Sequence, residues 1–341
     1  SSPGSSASCW PAAPRPDPVP PAATPAGPAS GPVAARLAAL TGVPVRDLRP
    51  AGAQHGTQHY RTTLTTGREV FAKLAIPTST TNTTSTTSTT NHGRTTTPGQ
   101  HTSPGSPFSA EAHGLRWLAE AGAVPIPEVL GADDQGVVLS WLPPGPATAA
   151  AAAGFGRALA RLHTAGADQF GAPWPGFIAS LPLDNTPWPA DQGWPRWYAE
   201  RRVRPYLRHA AGQGTLGPVD VALVEQVLSR IGDLAGPGEP PSRIHGDCWS
   251  GNVLWSGGRG WLIDPAAHGG HRETDLAMLD LFGAPHLAAV LGAYHEQAPL
   301  APGWRARVPL HQLHPLLVHV CLFGAGYRDQ TLAAARAALA G

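Results

Sequence analysis

The fold is decided by the run HGDCWSGNVLW at residues 245–255, which is followed, after a short glycine-rich turn, by WLIDPAA at residues 261–267. Phosphoryl transfer needs one carboxylate that accepts the proton of the attacking hydroxyl, and oxygen ligands that hold Mg²⁺ on the phosphates. Protein kinases take these groups from a catalytic-loop Asp, a later Asn and a second Asp. The same order here predicts a small-molecule kinase with Asp247 as the base and with Asn252 and Asp264 as Mg²⁺ ligands.

Several longer runs resemble the fructosamine (ketosamine) kinases, a family within the aminoglycoside-phosphotransferase and protein-kinase-like superfamily. The run HGDCWSGN at 245–252 is similar to the family signature HGDLWSGN, and residues 264–278 are similar to its DPA and READLAM segments. Further matches are FIASLP at 177–182, WYAERRVRP at 197–205 and LFGAGY at 322–327. The resemblance therefore runs in order from about residue 37 to the C-terminus, apart from one insertion.

The resemblance implies an α+β, two-lobed protein-kinase-like fold, with a small antiparallel sheet in the N-terminal lobe and a mainly helical C-terminal lobe. It implies ATP and Mg²⁺ as cofactors and a ketosamine, a sugar attached to an amine, as the phosphoryl acceptor. Phosphorylation of a sugar hydroxyl would make the adduct labile, and would assist deglycation of free glycated amines or of glycated proteins. Trp249, next to the base, is expected to form an apolar wall against the sugar; a core packing role is the alternative.

Lys73 is the residue of interest in the N-terminal half, because it lies in VFAKL at 70–74, among strand-forming apolar residues. One interpretation is an exposed lysine on an edge strand. The downstream motif favours the strand lysine that neutralises the nucleotide phosphates in kinases and is held by a helix glutamate. Glu111, at the start of the next predicted helix, is the expected partner.

Four further positions are predicted to contact the nucleotide. The run AGAQHGT at 51–57 retains Gly52 and Gly56 for a phosphate-covering loop, although it lacks the paired glycines that family members often carry. Trp141 and Leu142 lie where the linker between lobes should present backbone groups to adenine.

The chain divides into four parts by composition and pattern. Residues 1–31 form a Pro/Ala/Ser-rich tail that is too poor in large apolar side chains to order, and residues 78–107 form a Thr/Ser-rich, flexible insertion. Residues 32–142 otherwise form the N-terminal nucleotide-binding lobe, with a strand hairpin around Thr66 and Gly67, and residues 143–341 form the C-terminal catalytic and substrate lobe. Helices are predicted at 108–120, 150–163, 219–231, 274–281, 310–322 and 330–339.

Composition excludes little but agrees with this interpretation. The net charge of +1 with 14% charged residues gives no field for nucleic acid or an anionic membrane. No apolar run approaches the ~20 residues of a spanning helix, and no secretory signal pattern is evident, so a cytoplasmic protein without nucleic-acid or membrane partners is expected. The three cysteines show no pairing pattern, and the histidines do not recur at metal-ligand spacing. The oligomeric state is left open.

Two other functions remain open. The chain could phosphorylate another small alcohol, such as an aminoglycoside or an amino-alcohol, although it lacks the acidic cluster expected of an aminoglycoside pocket. It could also be a nucleotide-binding pseudokinase, although Lys73, Glu111, Asp247, Asn252 and Asp264 are all retained. His245 is expected to position its loop, Asp275 to cap a helix or brace that loop, and the pair His268–Gly269, where the family commonly has tyrosines, to shift the sugar preference.

Overall fold

The computed structural model describes residues 29–54, 56–76 and 105–341. The tail predicted at 1–31 and the insertion predicted at 78–107 lie almost wholly outside the described residues. The rest of the chain forms an antiparallel sheet followed by a helical region with short hairpins, which confirms the predicted α+β, two-lobed kinase-like fold.

The N-terminal lobe is a five-stranded sheet with order β1-β2-β3-β5-β4 and two helices packed against it. A tight turn through Gly67, whose φ is +87°, joins β2 to β3, as the Thr-Gly pair predicts. The elements are α1 (Pro32–Thr41), β1 (Arg49–Gln54), β2 (Thr57–Thr63), β3 (Glu69–Ala75), α2 (Pro107–Glu120), β4 (Val129–Asp133) and β5 (Gly136–Ser140).

The C-terminal lobe contains the longer helices and three two-stranded hairpins or ladders. Its helices are α3 (Ala149–Thr164), α4 (Trp194–Tyr198), α5 (Arg204–Gly212), α6 (Pro218–Ser229), α7 (Ile231–Leu234), α8 (Arg272–Leu281), α9 (Leu287–Gln297), α10 (Trp304–Phe323) and α11 (Arg328–Ala340). Its strands are β6 (Gly176–Ile178), β7 (Leu181–Leu183), β8 (Ser242–Ile244), β9 (Val253–Ser256), β10 (Arg259–Leu262) and β11 (His268–Gly270).

Two short ladders position the loops that carry the sequence motifs. β9 pairs with β10, and β8 pairs with β11, both antiparallel. The loop 245–252 leaves β8 and enters β9, while the loop 263–267 leaves β10 and enters β11. Each loop is therefore held at both ends by the same two ladders, which brings the motif residues close together.

Helix α2 is packed tightly onto the C-terminal lobe. A Cβ at Gly114 would lie 3.1 Å from the Ala267 side chain and 3.2 Å from that of Pro265. Farther along α2, the Trp117 ring lies 5.6 Å from the ring of Trp174. Glycine at position 114 thus allows a close contact between the helix and the loop after β10.

The packing of α3 against α9 gives a matched pair of test positions. A Cβ at Gly156 would lie 2.1 Å from the carbonyl oxygen of Val290, whereas a Cβ at Gly154 would meet no atom within 4 Å. We expect Gly156→Ala to lower the free energy of unfolding by about 1–3 kcal/mol through overpacking. Gly154→Ala should raise it by about 0.4–1 kcal/mol, because alanine restricts the unfolded chain. Chemical denaturation of both variants measures this, and equal effects would contradict the close α3–α9 contact.

The region Trp304–Ala340 contains a helical window that is long and apolar enough to cross a membrane, by length and composition alone. The sequence prediction missed this, because α10 begins six residues before the predicted 310. Inside the protein 56% of that window is buried, and α10 packs between α8 and α11. Core packing therefore explains its apolar composition.

Candidate active site

The two lobes enclose a cavity of about 380 Å³, within the range of small-molecule sites. All five polar residues of the predicted kinase machinery line it: Lys73, Glu111, Asp247, Asn252 and Asp264. Trp249 and Gly56 line it as well. Gly52, Trp141 and Leu142 are not among the lining residues.

Lys73, in the N-terminal lobe, forms an ion pair with Asp264 of the C-terminal lobe. Its Nζ lies 2.9 and 3.1 Å from the two carboxylate oxygens of Glu111, and it also donates to the Asp264 carboxylate. β3 places Lys73 in the sheet, and only 7% of its side chain is exposed. Burial raises the pKa of Glu111 to about 7, against the lowering effect of Lys73. The sequence-predicted pairing of Lys73 with Glu111 is thus present, and Asp264 is a third member.

Asp247 and Asn252 are bonded to each other across their loop. The Asn252 Nδ2 donates to Asp247 Oδ2 at 2.8 Å and to the Asp247 carbonyl at 2.9 Å. Burial raises the pKa of Asp247 to about 8, and the hydrogen bond from Asn252 opposes that rise. Because the amide nitrogen is engaged by Asp247, the amide oxygen of Asn252 is the atom left to serve as a metal ligand.

Asp264 has an uncommon backbone conformation, with φ +53° in the left-handed region. Asp and Asn tolerate that region better than other residues with a side chain. The conformation lies at the end of β10, where the buried Ile263 precedes it and Pro265 follows. Strained conformations of this kind cluster at functional sites, and here the strain accompanies a carboxylate that lines the cavity.

Asp275 braces the loop that carries the candidate base. Its carboxylate, fully buried on α8, accepts the backbone N–H of His245 at 2.7 Å and that of Gly246 at 2.9 Å. His163 lies 3.1 Å away from it, and Tyr294 lies 2.8 Å from the other ring nitrogen of His163. Burial would raise the pKa of Asp275, but the hydrogen bond from His163 and the loop contacts hold it below its usual value. These contacts are those of a residue that braces the loop, which is one of the two roles expected for Asp275. The sequence analysis did not identify the buried His163 and Tyr294 as part of this network.

Beside the linker at Trp141 and Leu142 lies an apolar cluster with residues from both lobes. Trp141 donates its backbone N–H to the Glu69 carbonyl at 3.1 Å, so this group is committed to the sheet. The guanidinium of Arg61 lies 4.4 Å from the centre of the Trp141 ring. A small apolar cluster lies beside the linker and contains Ala51, Phe71, Trp141, Leu142, Leu254, Trp261 and Ile263.

The opposite side of the cavity was not assigned from sequence. Its lining residues come from the β6–β7 hairpin, from α8 and from the end of α10. They are Phe177, Ile178, Ala179, Ser180, Met278, Pro315, Val318, His319, Leu322 and Phe323. Two of the runs that resemble the family, FIASLP and LFGAGY, contain six of these ten residues, although the resemblance gave no role for them.

The pair His268–Gly269 lies away from the cavity lining. His268 is buried, and its ring lies 5.5 Å from the ring of Trp197. A Cβ at Gly269 would lie 1.9 Å from the Gln169 carbonyl oxygen, so this backbone leaves no room for a tyrosine. Local packing therefore explains the glycine at position 269.

A second buried polar cluster lies at the start of α8. His271, Glu273 and His311 bring ring nitrogens and a carboxylate oxygen within 4.8 Å of one another, although no sequence spacing indicated this. Arg307 already holds both oxygens of Glu273, at 2.5 and 2.9 Å. His271 Nδ1 accepts the Glu273 backbone N–H at 3.2 Å, so its other nitrogen carries the proton in the neutral ring. The cluster is accordingly an ion-pair and capping network that anchors the helix of Asp275.

Comparison with known proteins gives one consistent result. The family profile described as fructosamine kinase matches residues 56–340. A probable ketoamine kinase of Thermus thermophilus, TTHA1179, is 37% identical over 224 residues, which cover 64% of this chain and 78% of the relative. A Thermobifida fusca crystal structure, provisionally named a fructosamine-3-kinase, superposes with a TM-score of 0.80 at 49% identity, covering 91% of this chain and 99% of that one. The ADP-bound aminoglycoside phosphotransferase APH(2'')-Ib shares only the fold, with a TM-score of 0.54 at 12% identity over 89% and 97% of the two chains.

Proposed function

The chain belongs to the fructosamine kinase family and is an ATP-dependent ketosamine kinase, and we propose that Asp247 is its catalytic base and that Asn252 and Asp264 hold Mg²⁺. This proposal is supported by one observation: these three residues and the Lys73–Glu111 pair all line the same cavity. Retention of the whole set also argues against a pseudokinase.

The donor set fits a magnesium ion. Mg²⁺ prefers oxygen ligands, and it is commonly held by one or two carboxylates together with substrate phosphates. Asp264 would supply a carboxylate. Asn252 would supply its amide oxygen, because its amide nitrogen already donates to Asp247. When bound, the metal would neutralise charge that develops on the phosphates.

In the proposed mechanism each residue has one task. Asp247 accepts the proton of the sugar hydroxyl, and Asn252 holds the Asp247 carboxylate in place through the 2.8 Å bond. Lys73 turns its charge toward the nucleotide phosphates while Glu111 keeps it anchored. Asp275 fixes the loop of the base by accepting two backbone N–H groups.

Adenine is proposed to bind at the apolar cluster beside the linker. Leu142 and Phe71 are buried there, and Ile263 closes the cluster from the C-terminal lobe. Since the Trp141 N–H is bonded within the sheet, backbone contact with adenine would come from the Trp141 carbonyl or from Leu142. Gly52, within β1, and Gly56, just before β2, have φ of +112° and +76° and belong to the segment that would cover the phosphates.

The acceptor is proposed to be a small glycated amine, with ribulosyl-amines better than fructosyl-amines, and a glycated protein is a further candidate substrate. The test is Mg·ATP turnover against ribulosyl- and fructosyl-amines, a glycated protein, kanamycin and choline, with mass spectrometry of each product. Phosphorylated ketosamine with no aminoglycoside product is the expected result. Turnover of kanamycin alone would instead favour an antibiotic kinase on the same fold.

Trp249 offers a direct test of the acceptor side. Its ring lines the cavity, lies against the backbone of Gly251, and makes an edge contact with Phe282 at 5.9 Å. We expect Trp249→Ala to raise the KM for the ketosamine by roughly 10-fold or more, through loss of an apolar contact, with the KM for ATP nearly unchanged. Steady-state kinetics with each substrate varied measures this. An equal rise in both KM values would make Trp249 a packing residue.

A further inference from the structure

His319 lies at the acceptor side of the cavity, on α10 one turn after Pro315. Leu322 and Phe323 line the cavity beside it, and Phe323 is 47% exposed at the surface. His319 has no part in the phosphoryl-transfer machinery described above, and yet it is a polar side chain among mostly apolar lining residues.

The hydrogen bond at one ring nitrogen determines what the other can do. The Nδ1 of His319 lies 2.7 Å from the carbonyl oxygen of Pro315, and a carbonyl can only accept, so Nδ1 carries the hydrogen. Burial lowers the pKa of His319, which keeps the ring neutral. In a neutral ring with hydrogen on Nδ1, Nε2 has a bare lone pair and is an acceptor only. This Nε2 makes no hydrogen bond within residues 29–54, 56–76 and 105–341.

The surroundings of His319 form an aromatic wall, comprising Trp249, Phe282, His319, Phe323 and Tyr327. The His319 ring centre lies 4.9 Å from that of Phe282, 5.4 Å from that of Phe323 and 4.8 Å from that of Tyr327. Aromatic faces attract cations, more strongly where water is excluded. The aromatic wall therefore favours a positively charged group next to the His319 acceptor.

The charges that line the cavity point in the same direction. Glu111, Asp247 and Asp264 contribute three carboxyl groups, while Lys73 is the one permanently charged cation among the described lining residues. Lys73 is already engaged by two of these carboxylates. Beyond this paired set, the described lining residues include no second permanent cation that would repel a positively charged acceptor, such as a ketosamine whose secondary amine is protonated at neutral pH.

We propose that His319 recognises the amine of the ketosamine: its Nε2 accepts a hydrogen bond from the protonated amine, and the charge lies against the aromatic wall. His319 is then the residue that separates amine-linked sugars from sugars without an amine. This inference rests on the proposed function, because it names how the acceptor of that same reaction is selected.

The test compares two acceptors in three enzymes. One acceptor is a fructosyl- or ribulosyl-alkylamine, and the other is its ether analogue, with oxygen in place of the amine nitrogen. His319→Phe keeps an aromatic ring but removes the acceptor, whereas His319→Gln keeps a polar acceptor at the distal position. We expect His319→Phe to reduce the amine-over-ether preference in kcat/KM by roughly 10- to 100-fold, as for a hydrogen bond to a charged group. His319→Gln should retain the preference within about threefold, and neither variant should change the KM for ATP.

Several outcomes would overturn the inference. One is an equal loss of kcat/KM on the amine and on the ether in His319→Phe. Another is an equal loss of the amine-over-ether preference in His319→Gln and in His319→Phe. The third is a wild-type enzyme whose kcat/KM is the same for the amine and the ether. The wild-type ratio and His319→Gln remain decisive even where His319→Phe does not fold, which thermal melting shows. Failure of the proposed function has a different signature, because the wild-type enzyme would then turn over no ketosamine at all.

Discussion

Asp247→Asn is expected to lower turnover by roughly 10²–10⁴-fold, because the amide keeps the shape of the side chain but cannot take the proton of the acceptor hydroxyl. Affinity for Mg·ATP should largely survive, since Asp247 is hydrogen-bonded to Asn252, whereas Lys73 is held by Glu111. Single-turnover kinetics with a ketosamine, together with calorimetric titration of the nucleotide, measures both quantities. Near-normal turnover would assign the base to another residue.

The same variant has a consequence for stability without nucleotide. Burial raises the pKa of Asp247 from 3.8 to about 8 in the folded protein, so the folded state holds a proton that the unfolded chain releases. By linkage, the free energy of unfolding therefore falls as pH rises from about 4 to about 8, and the loss is complete above about 8. We therefore expect the melting temperature of the wild type to fall relative to that of Asp247→Asn between pH 5 and 8. Parallel curves would show that Asp247 ionises normally.

Asp264→Asn is expected to abolish the Mg²⁺-dependent part of nucleotide binding and to lower turnover by roughly 10³-fold or more, because metal stabilisation of phosphate charge supplies several kcal/mol. Asparagine is the informative choice because Asp264 has φ +53°, a conformation that Asn adopts at least as readily as Asp. The measurement is nucleotide affinity with and without Mg²⁺, together with turnover.

Asp264→Ala provides the matched control for backbone strain. Alanine removes the same charge but is disfavoured in the left-handed region, so its melting temperature should lie below that of Asp264→Asn. If Asp264→Asn bound Mg·ATP like the wild type while Asp264→Ala did not, the position would act through conformation and not through metal binding.

The sequence predicted best where chemistry imposes both residue type and order. The loop 245–252 and the Asp264 segment occupy adjacent loops as their motif implied, and Lys73 meets Glu111 across 38 positions of chain. The hairpin around Gly67 was likewise predictable, because a Thr-Gly pair between alternating segments indicates a tight turn. The nucleotide and metal roles of these residues remain predictions that the proposed variants test.

What the sequence could not predict depends on contacts between distant segments. His319 lies 72 positions after Asp247 in the chain but lines the same cavity, and its tautomer depends on a carbonyl one helical turn away. His163 reaches Asp275 from α3, and Arg307 reaches Glu273 from α10, with no periodicity to indicate either contact. Such pairs emerge only when helix packing is known.

The close seating of α2 has a consequence for regulation. In many protein kinases the glutamate-bearing helix swings away to switch activity off. Here α2 packs so closely on the loop that follows Asp264 that a Cβ at Gly114 would lie 3.1–3.2 Å from its side chains, and Trp117 contacts Trp174 farther along the helix. An outward swing would have to break this contact between lobes as well as the Glu111–Lys73 pair. Glu111 therefore already lies beside Lys73, and assembly of this pair requires no inward movement of α2.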